Sequence, residues 1–375
     1  MTKERVLSLR QLNRATLDRQ MLLKREKVDV VKAIERVAAL QAQWSPSPYV
    51  ALWSRLVKFR REELWSAIEK EHSVVRARLM RGTLHLVSAR DFYAYSVATQ
   101  DLQRGAWNRL QIARGVDPQA VARAASAYAK TPRSKDEVLA HLAERVAKIE
   151  GEWKWLIWRF VSAHADLVAA PPSGHWEYGG TDYPYVAARH WIRGGARPSE
   201  RDALRLLVTR YLRAFGPATL ADIARFGGQA APRIRPVVEE MRLVRYRDES
   251  DRILFDLPGM KLPRSNVSTP VRLLPRWDEV LIAYQYRDRI APKRYLSALY
   301  TKNGIIEASL LVDGFVAGTW TLVRTKTDGI VRIRPFAALP RMASHLALAE
   351  GDALSYFLAP EAKVHGAGID PAGTA

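Results

Sequence analysis

Two glutamines separated by one alanine, Gln41 and Gln43, lie in the stretch Leu40-Gln41-Ala42-Gln43-Trp44-Ser45-Pro46. Each carboxamide carries a carbonyl acceptor and an NH2 donor, enough to fix a water molecule or to read a base edge. On a continuing helix, residues i and i+2 point about 200° apart. Pro46 biases Ser45 away from helical geometry, so a helix running through this stretch should end near Gln43. At an unravelling helix end, or in an extended segment, both carboxamides can face the same side. From spacing alone, the commoner role of such a pair is to cap a helix C-terminus.

Other chemistry is poorly represented. Cysteine is absent, which excludes disulfides, thiolate metal sites and a thiol nucleophile. The eight histidines show no i+3, i+4 or HExxH pairing. There is no G-x-x-x-x-G-K-[ST] or G-x-G-x-x-G phosphate loop and no G-x-S-x-G elbow. No metal and no cofactor is expected.

The charge points to a partner. Over 375 residues, 59 Lys+Arg stand against 39 Asp+Glu, a net +20, which favours a polyanion, most often nucleic acid. The cations are dispersed, as in Arg104, Arg109 and Arg114, then Arg242, Arg245 and Arg247, then Arg287, Arg289, Lys293 and Arg294. Tail-binding proteins concentrate like charges in blocks of about five or more. The charge here belongs on folded surfaces, and the 48% hydrophobic content excludes disorder of the whole chain. No apolar run approaches the roughly 18–20 residues needed to span a bilayer. Met1–Arg5 lacks the apolar core of a secretory signal. A cytoplasmic, nucleoid-associated protein with no membrane partner is expected.

The elements that must position these residues repeat along the chain. Ser199 with Asp202 starts a helix carrying Leu204, Leu207, Val208, Tyr211, Leu212 and Phe215 on one face, stopped at Gly216-Pro217. Thr219 with Asp222 caps a second helix ending at Gly227-Gly228, and Pro232 suits the first turn of a third. Two strand-like runs follow around Asp248–Asp251. Helix, helix, helix, hairpin is the order of a winged helix. The order appears earlier too, with helices opened by Asp117-Pro118, by Ser134 with Glu137 and from Glu152, then an irregular wing around His175–Tyr178. A looser copy has helices around Arg14–Arg25, Val30–Leu40, Tyr49–Phe59 and Glu62–Glu71, then paired strands around Arg81-Gly82.

The expected fold is therefore α+β. It comprises tandem winged helix-turn-helix units at 1–100, 101–198 and 199–262, a C-terminal β-rich unit at 263–360, and a disordered tail at 361–375. Within the C-terminal unit, Ala308–Val312 and Phe315–Val323 flank Asp313-Gly314, a pair favoured in type I′ turns.

The segments Leu12–Leu17, Leu40–Gln43, Ala51–Leu56, Arg78–Val87, Leu274–Glu279, Ile282–Tyr284, Asp288-Arg289, Val312–Gly314 and Ala317–Trp320 carry a family likeness. Together they resemble the AlkZ-like family of bacterial DNA glycosylases. The resemblance implies tandem winged helices around a concave surface for double-stranded DNA, and excision of N7-alkylated purines with unhooking of interstrand crosslinks. The family's Gln-Φ-Gln catalytic motif falls on Gln41 and Gln43, with Ala42 as Φ, which places the chain on the azinomycin-resistance side. A groove-probing β-hairpin is implied, and Asp313-Gly314 is assigned to it.

The remaining expectations come from residue chemistry. Arg81 and His85 are read as contacts to phosphate or the lesion, although a surface ion pair and a packing histidine explain them equally well. Arg287 and Arg289 are read as DNA contacts. Asp278-Glu279 is either an acid pair behind the site or a helix cap. Glutamine does not ionise near neutral pH and cannot act as an ordinary general base. An N7-alkylated base leaves as a neutral species, so positioning a water and stabilising an oxocarbenium ion would suffice. No lysine is marked as a Schiff-base nucleophile, so a monofunctional enzyme is expected, and three modules on one chain remove the usual need to dimerise, so a monomer is expected. The competing readings are a winged-helix transcriptional regulator and a damage-binding protein without catalysis.

Overall fold

In the computed structural model, residues 4–100, 107, 116–146 and 151–373 are described. Arg104, Arg109, Arg114 and the start of the second expected unit lie outside them.

The first segment runs β1 (Val6–Leu7), α1 (Leu9–Arg19), α2 (Val30–Arg36), β2 (Leu40–Gln41), α3 (Pro46–Trp53), α4 (Arg61–Glu69), β3 (Val74–Arg78), β4 (Leu84–Ser88) and α5 (Ala89–Thr99). Next come α6 (Pro118–Tyr128), α7 (Lys135–Leu142), α8 (Gly151–His164), β5 (Leu167–Ala169) and β6 (Tyr185–Ala187). A three-helix run follows, α9 (Glu200–Phe215), α10 (Leu220–Gly227) and α11 (Ala231–Glu240), then the hairpin β7 (Val244–Asp248) and β8 (Ile253–Asp256). The chain ends with β9 (Arg272–Leu274), α12 (Glu279–Ile282), α13 (Leu296–Leu299), β10 (Ser309–Val312), β11 (Phe315–Arg324), β12 (Asp328–Pro335), α14 (Arg341–Leu358) and β13 (Val364–Ile369).

Local chemistry sets many of these boundaries. Ser199 accepts the Asp202 N–H, and both Ser134 with Glu137 and Thr219 with Asp222 form reciprocal capping boxes. Gly228 ends α10 in the left-handed conformation at φ 64°, which glycine adopts without steric cost.

Three sheets cross the expected unit boundaries. One has the order β2-β4-β3-β5-β6, so strands before and after residue 100 share a sheet through the Arg76–Ala169 pairing. A second is β1-β7-β8, with the N-terminal Val6-Leu7 running parallel to the hairpin at 244–256. The third is β13-β12-β11-β10-β9. Its edge strand β13 pairs in parallel with β12 and corrects the expectation of a disordered tail. Gly366 and Gly368 lie within it, and its partner strand supplies the hydrogen bonds that local propensity would not.

The largest apolar cluster binds these parts together, joining Val75, Val87 and Phe92 to Leu207, Tyr211 and Phe215 and to Leu281 and Tyr284. Two buried hydroxyls tighten that junction. Tyr284 donates to the Phe215 carbonyl at 2.8 Å, and Tyr211 to the Ala283 carbonyl at 3.1 Å. The N-terminal segment, the three-helix run and α12 therefore meet at one place, where the glutamine motif also lies.

Candidate active site

The helix expected over Val30–Leu40 stops at Arg36, and Ala38 takes a left-handed φ of 72°. The chain returns as β2, antiparallel to β4, with Gln41 opposite His85. Pro46 begins α3 instead of ending a helix. β2 ends at Gln41; Ala42 turns the other way, and Gln43 sits in a bend just past the strand with its carboxamide on the Leu84 N–H of β4. Ala42 is buried in the apolar cluster of α2 to α4, which explains a small apolar residue between two polar ones. The buried Arg76 holds the Ala42 carbonyl at 2.7 and 3.1 Å.

Each glutamine is oriented by an N–H donor. Gln43 Oε1 accepts the Leu84 N–H at 2.8 Å, and Gln41 Oε1 accepts from Arg81 Nη2 at 3.1 Å. Neither donor can reverse its role, so both carboxamide oxygens must face inward. Neither NH2 has a hydrogen-bond partner among the described residues. Gln41 is buried and Gln43 exposed, so the pair spans the boundary between interior and solvent.

Arg81 is the hub. It occupies the turn between β3 and β4 with φ 54°, a left-handed conformation uncommon for a residue with a side chain. Its Nη1 donates to the Phe226 carbonyl at 2.9 Å, and Nη2 reaches Glu279 Oε1 at 2.8 Å as well as Gln41. His85 Nε2 lies 3.0 Å from the same Glu279 oxygen and 3.1 Å from Arg81 Nη2. The other ring nitrogen is 3.0 Å from the Thr83 carbonyl. His85 is fully buried, a satisfied histidine that cannot reach a phosphate in this arrangement.

The electrostatics follow from burial and pairing. Burial raises the Glu279 carboxyl, but the Arg81 guanidinium and the His85 and Arg81 hydrogen bonds outweigh it and hold the group below the usual carboxylate range. Burial also holds the His85 ring below the usual histidine range, against the opposing pull of Glu279. The cluster thus gathers a carboxylate, a guanidinium, an imidazole ring and two carboxamides. Glu279 Oε2 is buried without a hydrogen-bond partner among the described residues.

The adjacent acids Asp278 and Glu279 divide the two roles read for them. Asp278 accepts the Val280 N–H at the start of α12 and pairs with the buried Arg55 at 2.8 and 2.9 Å. Glu279, one residue on, meets Arg81 and His85. Sequence spacing could not select Glu279 as the site carboxylate, because its partners are distant in the chain.

The comparisons with known proteins agree with this architecture. The family model described as DNA glycosylase AlkZ-like matches residues 34–357. The chain belongs to the AlkZ-like DNA glycosylase family. A relative from Streptomyces sahachiroi, the interstrand DNA cross-link repair glycosylase, is 26% identical over 383 residues, covering 92% of this chain and 97% of its own. The structure of Streptomyces sahachiroi DNA glycosylase AlkZ superposes with a TM-score of 0.79 at 20% identity, covering 97% of this chain and 100% of that one. The protein is a DNA glycosylase, a hydrolase of N-glycosyl bonds that acts on DNA.

Within this AlkZ-like glycosylase, several expected DNA contacts are placed elsewhere. Arg289 is buried, donates to the Pro217 carbonyl at 3.0 Å, and lies 4.3 Å over the Tyr284 ring. It holds the core together. The Asp313-Gly314 turn is docked on α1: Arg14 meets the Asp313 carboxylate at 2.5 Å, Arg10 meets it at 2.6 Å, and Asn13 donates to the Gly314 carbonyl at 2.8 Å. The turn is occupied by its own protein. Arg287 remains on the surface, stacked 4.1 Å over Tyr300.

The longer hairpin, β11–β12, is tied at its tip to the approach of β13, where Arg324 pairs with Glu361 and the Thr327 carbonyl accepts the Val364 N–H. The tip between β11 and β12 carries exposed Arg324 and Lys326. Arg324 lines a cleft of about 650 Å³ with Trp44, Pro46, Trp176, Arg276 and Trp320, directly beyond the glutamine motif. Among the described residues, no His, Asp and Glu group is arranged to hold a metal, and no helix is long and apolar enough to cross a membrane.

Proposed function

We propose that this AlkZ-like glycosylase hydrolyses the N-glycosidic bond of cationic N7-alkylpurines, unhooking interstrand crosslinks as well as monoadducts. A water positioned by Gln41 and Gln43 is the nucleophile. The observation that carries this reading is the pair of carboxamides set against the β3–β4 hairpin, with their oxygens fixed by N–H donors and their NH2 groups unused. Each carbonyl retains a second lone pair, so donors and acceptors for one water stand together. Glu279 acts through Arg81: it anchors the guanidinium that turns the Gln41 amide. An alkylated base already carries the positive charge that a general acid would otherwise supply. Oriented dipoles and proximity are then enough.

A crosslinked base is tethered to the opposite strand and cannot be fully extruded, which favours reaction in an open groove over a closed flipping pocket. The name of the Streptomyces sahachiroi relative supports crosslinks as substrates. The helix-helix-helix-hairpin order at 199–256 supports tandem winged-helix units around duplex DNA, and several such units on one chain support a monomer working at the nucleoid. Arg81 serves the glutamines, and the groove probe is the β11–β12 tip.

Excision from an N7-methylguanine duplex tests the reading. Gln41→Ala and Gln43→Ala should each lower the single-turnover rate by about 10²-fold or more, the loss typical of one preorganised polar group. Wild-type rates in folded variants would overturn it, as would a covalent DNA adduct trapped by borohydride.

A further inference from the structure

A second polar surface shares α10 with the glutamine cluster. Arg225, Arg252, Arg287 and Lys293 line a cleft of about 500 Å³ whose lining includes a single carboxylate, Asp288. Arg252 is engaged, with its Nε 2.6 Å from Asp248 and its guanidinium 4.0 Å over the Tyr286 ring. Arg225, Arg287 and Lys293 form no ion pair among the described residues. Arg225 Nε is buried and has no hydrogen-bond partner among them. Arg287 is held by its face on Tyr300, which fixes the guanidinium plane and leaves its N–H edge to bind. Like charges gathered this closely repel unless an anion joins them, and a guanidinium fork matches the oxygens of a phosphate.

The cleft is tied to the reaction centre by one residue. Phe226, next to Arg225, gives its carbonyl to Arg81 Nη1 at 2.9 Å, and its ring lies 5.6 Å from the Arg81 guanidinium. We propose that Arg225, Arg287 and Lys293 clamp one backbone phosphodiester of the strand that carries the lesion, close to the nucleotide under attack. The inference rests on the placement of the reaction at Gln41 and Gln43. The clamp sets the register of the strand, and α10 transmits that register to Arg81 and so to the Gln41 carboxamide. Phosphate contacts of this kind position a duplex without reading its sequence.

The test replaces single phosphates by methylphosphonates on both strands around an N7-methylguanine and measures dissociation constants across a salt series. With wild-type protein, one neutral linkage near the lesion should weaken binding more than the others. The Arg225→Gln/Arg287→Gln variant should become indifferent to that linkage alone, and its log K against log salt slope should be shallower by about 0.9. Lys293→Ala, a change at an exposed residue, guards against misfolding and should shift the same linkage. Variants that keep the wild-type slope overturn the clamp, as do variants that stay sensitive to that linkage. The readout is binding, with an undamaged duplex run in parallel. Full excision by the glutamine variants would move the reaction elsewhere without altering the clamp result.

Discussion

Arg81 donates from one guanidinium nitrogen to the Gln41 carboxamide oxygen and to the Glu279 carboxylate, at 3.1 and 2.8 Å. A residue with no chemistry of its own in the proposed reaction thereby links a buried charge to a neutral catalytic amide. The amide is oriented by an ion pair, so its rotation depends on a carboxylate far away in the chain.

That dependence should appear as energetic coupling. Arg81→Met leaves Glu279 buried without its guanidinium, and breaking a buried ion pair typically costs about 3–5 kcal/mol. Glu279→Met leaves the guanidinium unpaired instead. The double variant should be less destabilised than the sum of the singles, with a coupling of about 0.5–3 kcal/mol in urea denaturation. Simple additivity would mean that the two side chains act independently.

Stability should fall on acidification. His85 in the folded protein lies below its usual 6.5, so its contribution is complete above that value and is lost as pH falls through the lowered folded pKa. Glu279 lies below its usual 4.5, so its contribution persists above that value and is lost at lower pH, through its folded pKa. Urea midpoints should therefore decrease from pH 8 to pH 5, and decrease again below 4.5. Glu279→Gln should flatten the lower limb alone. An unchanged lower limb would place the acid-labile group elsewhere.

Gly314→Ala should destabilise the protein. The residue has φ +80°, and an added Cβ would meet Asn13 Oδ1 at 2.5 Å and Leu17 Cδ1 at 2.7 Å. Left-handed strain and overpacking each cost on the order of 1–3 kcal/mol. A lower Tm with DNA affinity kept in the folded fraction is expected. Lost affinity at an unchanged Tm would return this turn to the DNA groove.

A buried cation and a pair of exposed ones should separate in the same assays. Arg289→Met strands the Pro217 carbonyl and should cost about 1–3 kcal/mol, with the salt slope of binding preserved. Arg324→Gln with Lys326→Gln at the exposed hairpin tip should leave Tm near wild type and make the slope shallower. Salt titration of binding beside thermal melts distinguishes them.

Much of the scaffold was legible in the chain because its signals are local. Ser199, Ser134 and Thr219 start helices by bonding an N–H three residues on, and Asp313-Gly314 turns a hairpin through its own backbone preferences. Arg289 misled for the opposite reason. An arginine beside Asp288 on a basic stretch reads as surface, and its burial is made tolerable by the Phe215 and Pro217 carbonyls and the Tyr284 ring, all distant in the chain or set by the fold. The tail misled because β13 owes its structure to β12.

By itself, the sequence determined the helix starts, the hairpins, the dispersed basic charge and the Gln41-Ala42-Gln43 spacing. Each depends on neighbouring residues or on composition. Tertiary structure decided that both glutamines meet the β3–β4 hairpin, because β4 holds Gln41 opposite His85 and gives its Leu84 N–H to Gln43. It also decided that Glu279, and not Asp278, meets Arg81. That contact joins residues 198 apart in the chain, and burial makes it energetically decisive by excluding the water that would otherwise satisfy both charges.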